Sequence, residues 1–227
     1  IDASLETVRW VSGFDFPDVT VDYLFVALRD PGRYPIERGH PASSDGLDTT
    51  PAGYAALLSE DQAPHSTARR YRLPGRGSYL TGPLARYALN SAHLPAVAAD
   101  AAAAAGLGPV CRNPFQSIVV RAVELVAACR EALSLVESYD PPDPPAIPVR
   151  PGPGVAGALT GTGATEAPRG LLLHTYSLDP AGIITAARIV PPTAQDQLTI
   201  EAELRQVAQG SIHRTDDELR SRCETPV

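Results

Sequence analysis

Apolar positions recur at three- and four-residue spacing most clearly between Phe115 and Ser138, where Ile118, Val119, Ala122, Val123, Val126, Cys129, Leu133 and Val136 predict a helix buried on most sides. The run from Leu84 to Ala105 is alanine-rich and helical in propensity; Pro95 divides it in two, and Gly106 and Gly108 end it. Nearer the start, Thr7 to Leu28 mixes β-branched and aromatic residues, with Gly13 and Pro17 as breaks, which predicts short strands and turns. Gly, Pro, Ser and Asp crowd Pro31 to Pro51, the composition of a loop, and a short helix is expected over Pro51 to Glu60.

The second half of the chain reads differently. Two apolar, β-branched runs, Gly170 to Ser177 and Ile183 to Val190, flank Asp179-Pro180-Ala181-Gly182, a type I turn signal with Pro second and Gly fourth. They predict a hairpin. Helices are expected over Asp196 to Gln209, with Ile200, Leu204 and Val207 on one side, and over Asp216 to Cys223. Between the halves, the proline-rich stretch Asp140 to Gly154 can be neither helix nor central strand and reads as a connector. The expected class is α+β, mainly helical, with long buried helices and a peripheral β-hairpin, in a single partial domain over 1–227.

Composition narrows the function. A formal net charge of -7 with scattered arginines argues against nucleic acid as a partner, which needs clustered cations on one face. No stretch approaches the roughly 20 apolar residues of a bilayer span, and no signal-peptide pattern opens the chain, so a soluble protein is expected. The absence of methionine, with Ile1 first, leads to the expectation of a fragment or processed chain. Cys111, Cys129 and Cys223 lie far apart without a CxxC; they define neither a zinc site nor a disulfide framework and read as small buried apolar groups.

Candidate chemistry concentrates in Gly161-Thr162-Gly163-Ala164-Thr165-Glu166-Ala167-Pro168-Arg169-Gly170, followed by Leu171-Leu172-Leu173-His174. Glycines allow close approach of a backbone, and Pro168 fixes the chain just before a long cationic side chain. From the residues alone this is either a rigidly placed Arg169 or a strand-entry turn with a surface Glu166–Arg169 pair, and His174 is either a ligand or a hydrogen-bonded histidine. Arg121 and Glu124, at i and i+3, are placed to form a structural ion pair.

The order of several motifs resembles that of nickel-iron hydrogenase large (catalytic) subunits. They are the GxGxxEAPRGxLxH segment just quoted, a hairpin, then Pro192-Thr193-Ala194-Gln195-Asp196; upstream stand Gly82-Pro83-Leu84-Ala85-Arg86, Arg121-Ala122-Val123-Glu124, and the Tyr34-Pro35-Ile36 and His65-Ser66 neighbourhoods. They cover nearly the whole chain, in a style nearest the cytoplasmic, cofactor-coupled members. The resemblance implies reversible heterolytic cleavage of dihydrogen at a nickel-iron centre carrying cyanide and carbon monoxide. It also implies partnership with an iron-sulfur small subunit, NAD(P)- or deazaflavin-linked electron-transfer subunits, and a cytoplasmic location without a membrane span.

By the same resemblance Arg169 matches the catalytic arginine suspended over the metals, Pro168 belongs to the same wall, and Thr193 matches the hydroxyl residue bonded to an iron cyanide. Ile189 falls where a backbone carbonyl joins a magnesium ion, an oxygen ligand of the kind that ion takes. The family's two CxxC pairs are missing here, so the nickel-iron cysteine ligands are absent from this sequence, and Cys223-Glu224-Thr225-Pro226-Val227 resembles the lead-in to the second pair. Where the family usually has Asn this chain has Asp196, either an anion near the centre or the N-cap of the following helix. The competing expectations are a complex I quinone-site-type subunit without nickel, against which Ala167-Pro168-Arg169 speaks, and a metal-free hydrogenase-like binding module. Arg169 and Thr193 are expected at one end of the hairpin, facing one cavity.

Overall fold

In a computed structural model the structure describes residues 1–64, 66–146 and 159–224. His65, most of the predicted connector (147–154) and the terminal 225–227 lie outside them. The order of elements is α1 (Asp2–Ser12), β1 (Val26–Arg29), β2 (His40–Ser43), α2 (Pro51–Leu57), β3 (Ser59–Gln62), β4 (Arg69–Arg72), α3 (Pro83–Asn90), α4 (Ala96–Ala104) and α5 (Ser117–Glu137), then β5 (Leu159–Ala167), β6 (Gly170–Leu178), β7 (Ile184–Val190), α6 (Pro192–Ser211) and α7 (Asp216–Glu224). The mixed, helix-rich class is as expected. β1 pairs with β2 and β3 with β4, both antiparallel, while β5, β6 and β7 form an antiparallel sheet in that order.

β1 organises the interior. Its residues alternate between two apolar clusters, as the two-residue period of a strand requires. Phe25, just before the strand, and Ala27 face a helical cluster with Val8, Val11, Leu84, Tyr87, Val120, Val123 and Val126. Val26 and Leu28 face a second cluster with Tyr54, Tyr71, Leu73, Tyr79, Leu171, Leu173 and Val190. The buried side chains of this four-residue strand thus belong to both clusters, one with the helices and one with the sheet of β5 to β7.

Several expectations are corrected. The segment from Thr7 is not strand: α1 buries Ser4, Val8 and Val11 at i, i+4 and i+7, and its aromatic Trp10, which suggested a strand, is 69% exposed. β5 is a strand that its glycines and threonines concealed, so the predicted hairpin is the second half of a three-stranded sheet. The 31–51 loop contains β2. Only the first half of α5 is buried, through Val119 to Ala127; beyond it Val136 is 75% exposed and Tyr139 70%. The Asp179 turn forms as read, with Asp179 Oδ1 accepting from the backbone of Ala181 and Ile183, both at 2.9 Å.

Candidate functional site

Five of the separated motifs converge on the turn between β5 and β6. Ala167 pairs with Gly170, leaving Pro168 and Arg169 as a two-residue tip. Proline second and glycine fourth suit a type I turn, and the positive φ of Gly170 (134°) is one that side chains rarely adopt. Against this tip packs Thr81-Gly82, just before α3. A Cβ on Gly82 would stand 2.8 Å from the Arg169 carbonyl oxygen, and one on Gly170 would stand 2.6 Å from the Gly82 nitrogen. Both positions therefore require glycine because two backbones meet there.

Pro83 occupies the first turn of α3, where its missing N–H costs nothing, and the helix carries Arg86 inward to 3% exposure. The guanidinium donates to both oxygens of Glu124 (Nε to Oε1 2.6 Å, Nη2 to Oε2 2.8 Å) and to Glu166 Oε2 (3.1 Å). It also donates to the carbonyls of Ala167 (2.8 Å) and Pro168 (3.2 Å). From the Tyr34-Pro35-Ile36 segment, the Tyr34 hydroxyl donates to Glu124 (2.6 Å) and the Ile36 carbonyl accepts from the Glu166 N–H (2.7 Å). The Leu28 N–H donates to Glu166 Oε1 (2.7 Å), tying the network to β1. A buried guanidinium with two carboxylates and two carbonyls is a satisfied network, the condition under which buried charge is tolerated.

Electrostatics follow from burial. Burial works against the charged form of Arg86, but the bonds and charges of Glu124 and Glu166 outweigh it and hold its pKa above the usual arginine value. Burial pushes Glu166 up to about 7, against the Arg86 charge and the Leu28 N–H. Tyr34 is likewise raised by burial and by Glu124.

The other side of the tip is held from α6. Asp196 accepts from the Thr81 N–H (2.7 Å) and the Thr81 hydroxyl (2.9 Å), and Gln195, with no exposed surface, accepts from Tyr54 (3.1 Å) and Tyr79 (3.3 Å) while donating to the Leu171 carbonyl (2.5 Å). Asp196 is not an N-cap: α6 starts at Pro192 with Pro191 before it, so the carboxylate lies beyond the helix start. Helix periodicity starting at Asp196 missed this first turn. Glu124 pairs with Arg86, not Arg121, because α5 presents Glu124 to α3 while Arg121 is exposed. Glu166 pairs with Arg86 as well, so the surface Glu166–Arg169 pair does not form.

The residues singled out in sequence are placed as follows. Arg169 and Pro168 are exposed at the turn tip, and neither Arg169 nor Thr193 makes a side-chain hydrogen bond or ion pair among the described residues. β6 and β7 are antiparallel, so the turn before one and the helix after the other lie at the same end. Thr193 and Ile189, with Glu60, Arg69, Tyr71 and Arg188, line an open cavity of about 570 Å³, and Arg169 is not among its lining residues. His174 bonds Tyr176 through Nδ1 (2.7 Å) and is no isolated ligand. Arg86, Glu124, Tyr34 and Thr81 were not recognised as one site in the sequence; the signal available was that Arg86 and Tyr34 each stand as the one polar residue of an apolar or glycine-proline motif.

Burial also raises Asp196 to about 7, against the two Thr81 bonds and with help from Glu166 and Glu203. An acid whose pKa is higher folded than unfolded binds more protons in the folded chain between the two values. This contribution to stability is therefore greatest below about pH 4 and is lost as pH rises to about 7. Asp196→Asn keeps an acceptor oxygen and removes the ionisation. The variant should gain on the parent between about pH 5 and pH 8, by on the order of a few kcal/mol, in urea unfolding followed by circular dichroism. Parallel pH profiles for the two proteins would contradict the assignment.

No family model matches the chain. Among curated relatives, a component of the F420-non-reducing hydrogenase vhu of Methanococcus voltae is 29% identical over 182 residues, covering 74% of this chain and 41% of that protein. The alpha chain of sulfhydrogenase 1 of Pyrococcus furiosus is 26% identical over 200 residues, covering 86% and 44%. A solved NAD+-reducing NiFe-hydrogenase in the H2-reduced state superposes with a TM-score of 0.74 at 20% identity, over 99% of this chain and 53% of that one. The chain thus spans about half or less of the length of the proteins it matches. In sequence the chain is similar to subunits of archaeal hydrogenases, and in fold to a chain of a solved NiFe-hydrogenase.

Proposed function

We propose that this chain is the arginine-bearing part of the catalytic subunit of a nickel-iron hydrogenase, which cleaves dihydrogen reversibly and heterolytically into protons and electrons. One observation carries the reading: the backbone around Arg169 is fastened by buried charges and close glycine contacts, while its guanidinium has no hydrogen-bond or ion-pair partner among the described residues. A fold that invests a buried ionic network in holding a turn, yet leaves the cation at its tip exposed and without a partner among the described residues, suits a residue that addresses something bound beside it. A guanidinium so placed presents fixed donors and a permanent positive charge to an anionic neighbour. Thr193, exposed and also unpartnered among the described residues, is a second donor at the same sheet end, Pro168 belongs to the same wall, and the Ile189 carbonyl is the candidate oxygen ligand for magnesium.

The chain's own donors do not fit the nickel-iron centre itself. A soft bimetallic site needs paired thiolates, whereas the three cysteines stand singly and no group of three metal-ligating side chains occurs among the described residues. The thiolates, and the cyanide and carbon monoxide on the iron, belong in this reading to the complete enzyme. The 227-residue chain alone should retain no stoichiometric nickel after dialysis against a chelator, read by metal analysis; retained nickel would require ligands other than those assigned.

The partners in this reading are electron-transfer subunits using NAD(P) or a deazaflavin, together with an iron-sulfur small subunit. The assembly is cytoplasmic in this reading, and no helix among the described residues is long and apolar enough to cross a membrane. The test is hydrogen-dependent dye reduction, with hydrogen–deuterium exchange, by the parent enzyme co-produced with its small subunit. A fully assembled, metal-loaded complex that is inert in both assays would favour a non-catalytic, hydrogenase-like role.

A further inference from the structure

We infer that Asp196, acting through Thr81, is a positioning residue for the Arg169 turn; the inference rests on the reading that Arg169 is the acting cation. Asp196 lies on α6 and touches neither Arg169 nor Gly170 by any hydrogen bond among the described residues. It grips Thr81 twice, at the backbone N–H (2.7 Å) and at the hydroxyl (2.9 Å). Thr81 in turn is the wall of the turn: its side chain fills the space where a Cβ on Gly170 would stand, and the next residue, Gly82, lies against the Arg169 carbonyl. The path from carboxylate to turn is therefore one residue long and made of contacts too close to slide.

The neighbours on α6 fix the other coordinate. Gln195 holds the Leu171 carbonyl, two residues beyond Arg169, and Thr199 donates to the Tyr79 carbonyl (2.7 Å). The first turns of α6 thus hold both the strand leaving the arginine turn and the loop packed under it, while Arg86 holds the carbonyls of Ala167 and Pro168 on the entering side. Because the guanidinium has no bond of its own among the described residues, these backbone restraints set where it stands. What matters at position 196 is an acceptor for both Thr81 donors, and an amide oxygen supplies one as well as a carboxylate does.

The Arg169–Gly170 bond offers a direct readout, since trypsin cuts after an exposed arginine only when the flanking backbone can leave its turn. Cleavage there is compared with cleavage after Arg29, which reports opening elsewhere in the fold, in the full chain and in Asp196→Ala, Asp196→Asn and Thr81→Val. Asp196→Ala should raise the ratio by about tenfold, the loss of a pair of hydrogen bonds, while Asp196→Asn should stay within about twofold of the parent. Should Asp196→Ala fail to fold, Thr81→Val removes one donor with little change of shape and should raise the ratio by about threefold. An unchanged ratio in folded Asp196→Ala or Thr81→Val, or an Asn variant cut as fast as the Ala variant, would overturn the role. Turnover of Arg169→Lys in the assembled enzyme reports separately on whether Arg169 acts at all.

Discussion

Replacing Arg169 by lysine in the assembled enzyme should lower hydrogen turnover by about 100- to 1,000-fold, the usual cost of removing one preorganised donor. Folding and metal content should stay near normal, because the Arg169 side chain is exposed and makes no hydrogen bond or ion pair among the described residues. Lysine keeps the positive charge but not the planar fork, so a role that depends on directed donors fails while a role that needs only charge survives. The Pro168-Arg169 tip can accept the substitution, since its conformation is set by Pro168, Gly170 and the Arg86 contacts to two carbonyls, none of which involves the Arg169 side chain. Turnover, nickel and iron content, and thermal unfolding measured together decide it; near-normal turnover with full metal would make Arg169 a mere strand-entry residue.

Arg86→Met should be the most damaging change to stability, costing about 3–5 kcal/mol, the range for removing one partner of a buried ion pair. Glu124 would lose both of its bonds to the guanidinium, Glu166 one, and the carbonyls of Ala167 and Pro168 one each. Against a typical total stability of about 5–15 kcal/mol this approaches loss of the fold. The defect has a pH signature. The Arg86 charge is what restrains the upward shift of Glu166, so without it Glu166 takes up a proton more readily. Protonation spares the cost of a buried bare charge, and the variant should be closer to the parent near pH 6 than near pH 8. Arg86→Lys should rescue little, since an ammonium cannot span two carboxylates and two carbonyls in one plane. Urea unfolding across that pH range measures this, and a loss below about 1 kcal/mol at pH 8 would show that the network adds little.

The sequence made some parts of this protein plain for identifiable reasons. The long helix was legible in its first half because Val119, Val123 and Val126 recur on one buried face, and Asp179-Pro180-Ala181-Gly182 announced its turn because its own side chain and glycine make it. α1 was misread because Val8 and Trp10 favour strands intrinsically, and only packing on α5 selects the helix. β5 was hidden because Gly161, Thr162 and Gly163 carry little apolar signal and owe their strand to pairing with β6.

The candidate site divides the same way. Sequence order alone pointed to the hydrogenase large subunits, to Pro168-Arg169 as the segment of interest and to Thr193 nearby, since those are local patterns of residue type. Which charges meet was decided by tertiary structure: Glu124 turns from its near neighbour Arg121 to Arg86, 38 positions away, and Asp196 holds Thr81 across 115 positions. The physical reason is that burial makes an unpaired charge costly whatever its place in the chain, so pairing is settled by which elements the apolar clusters press together. Local spacing determines turns and helix faces; the partner of a buried carboxylate is known only once the core has closed around it.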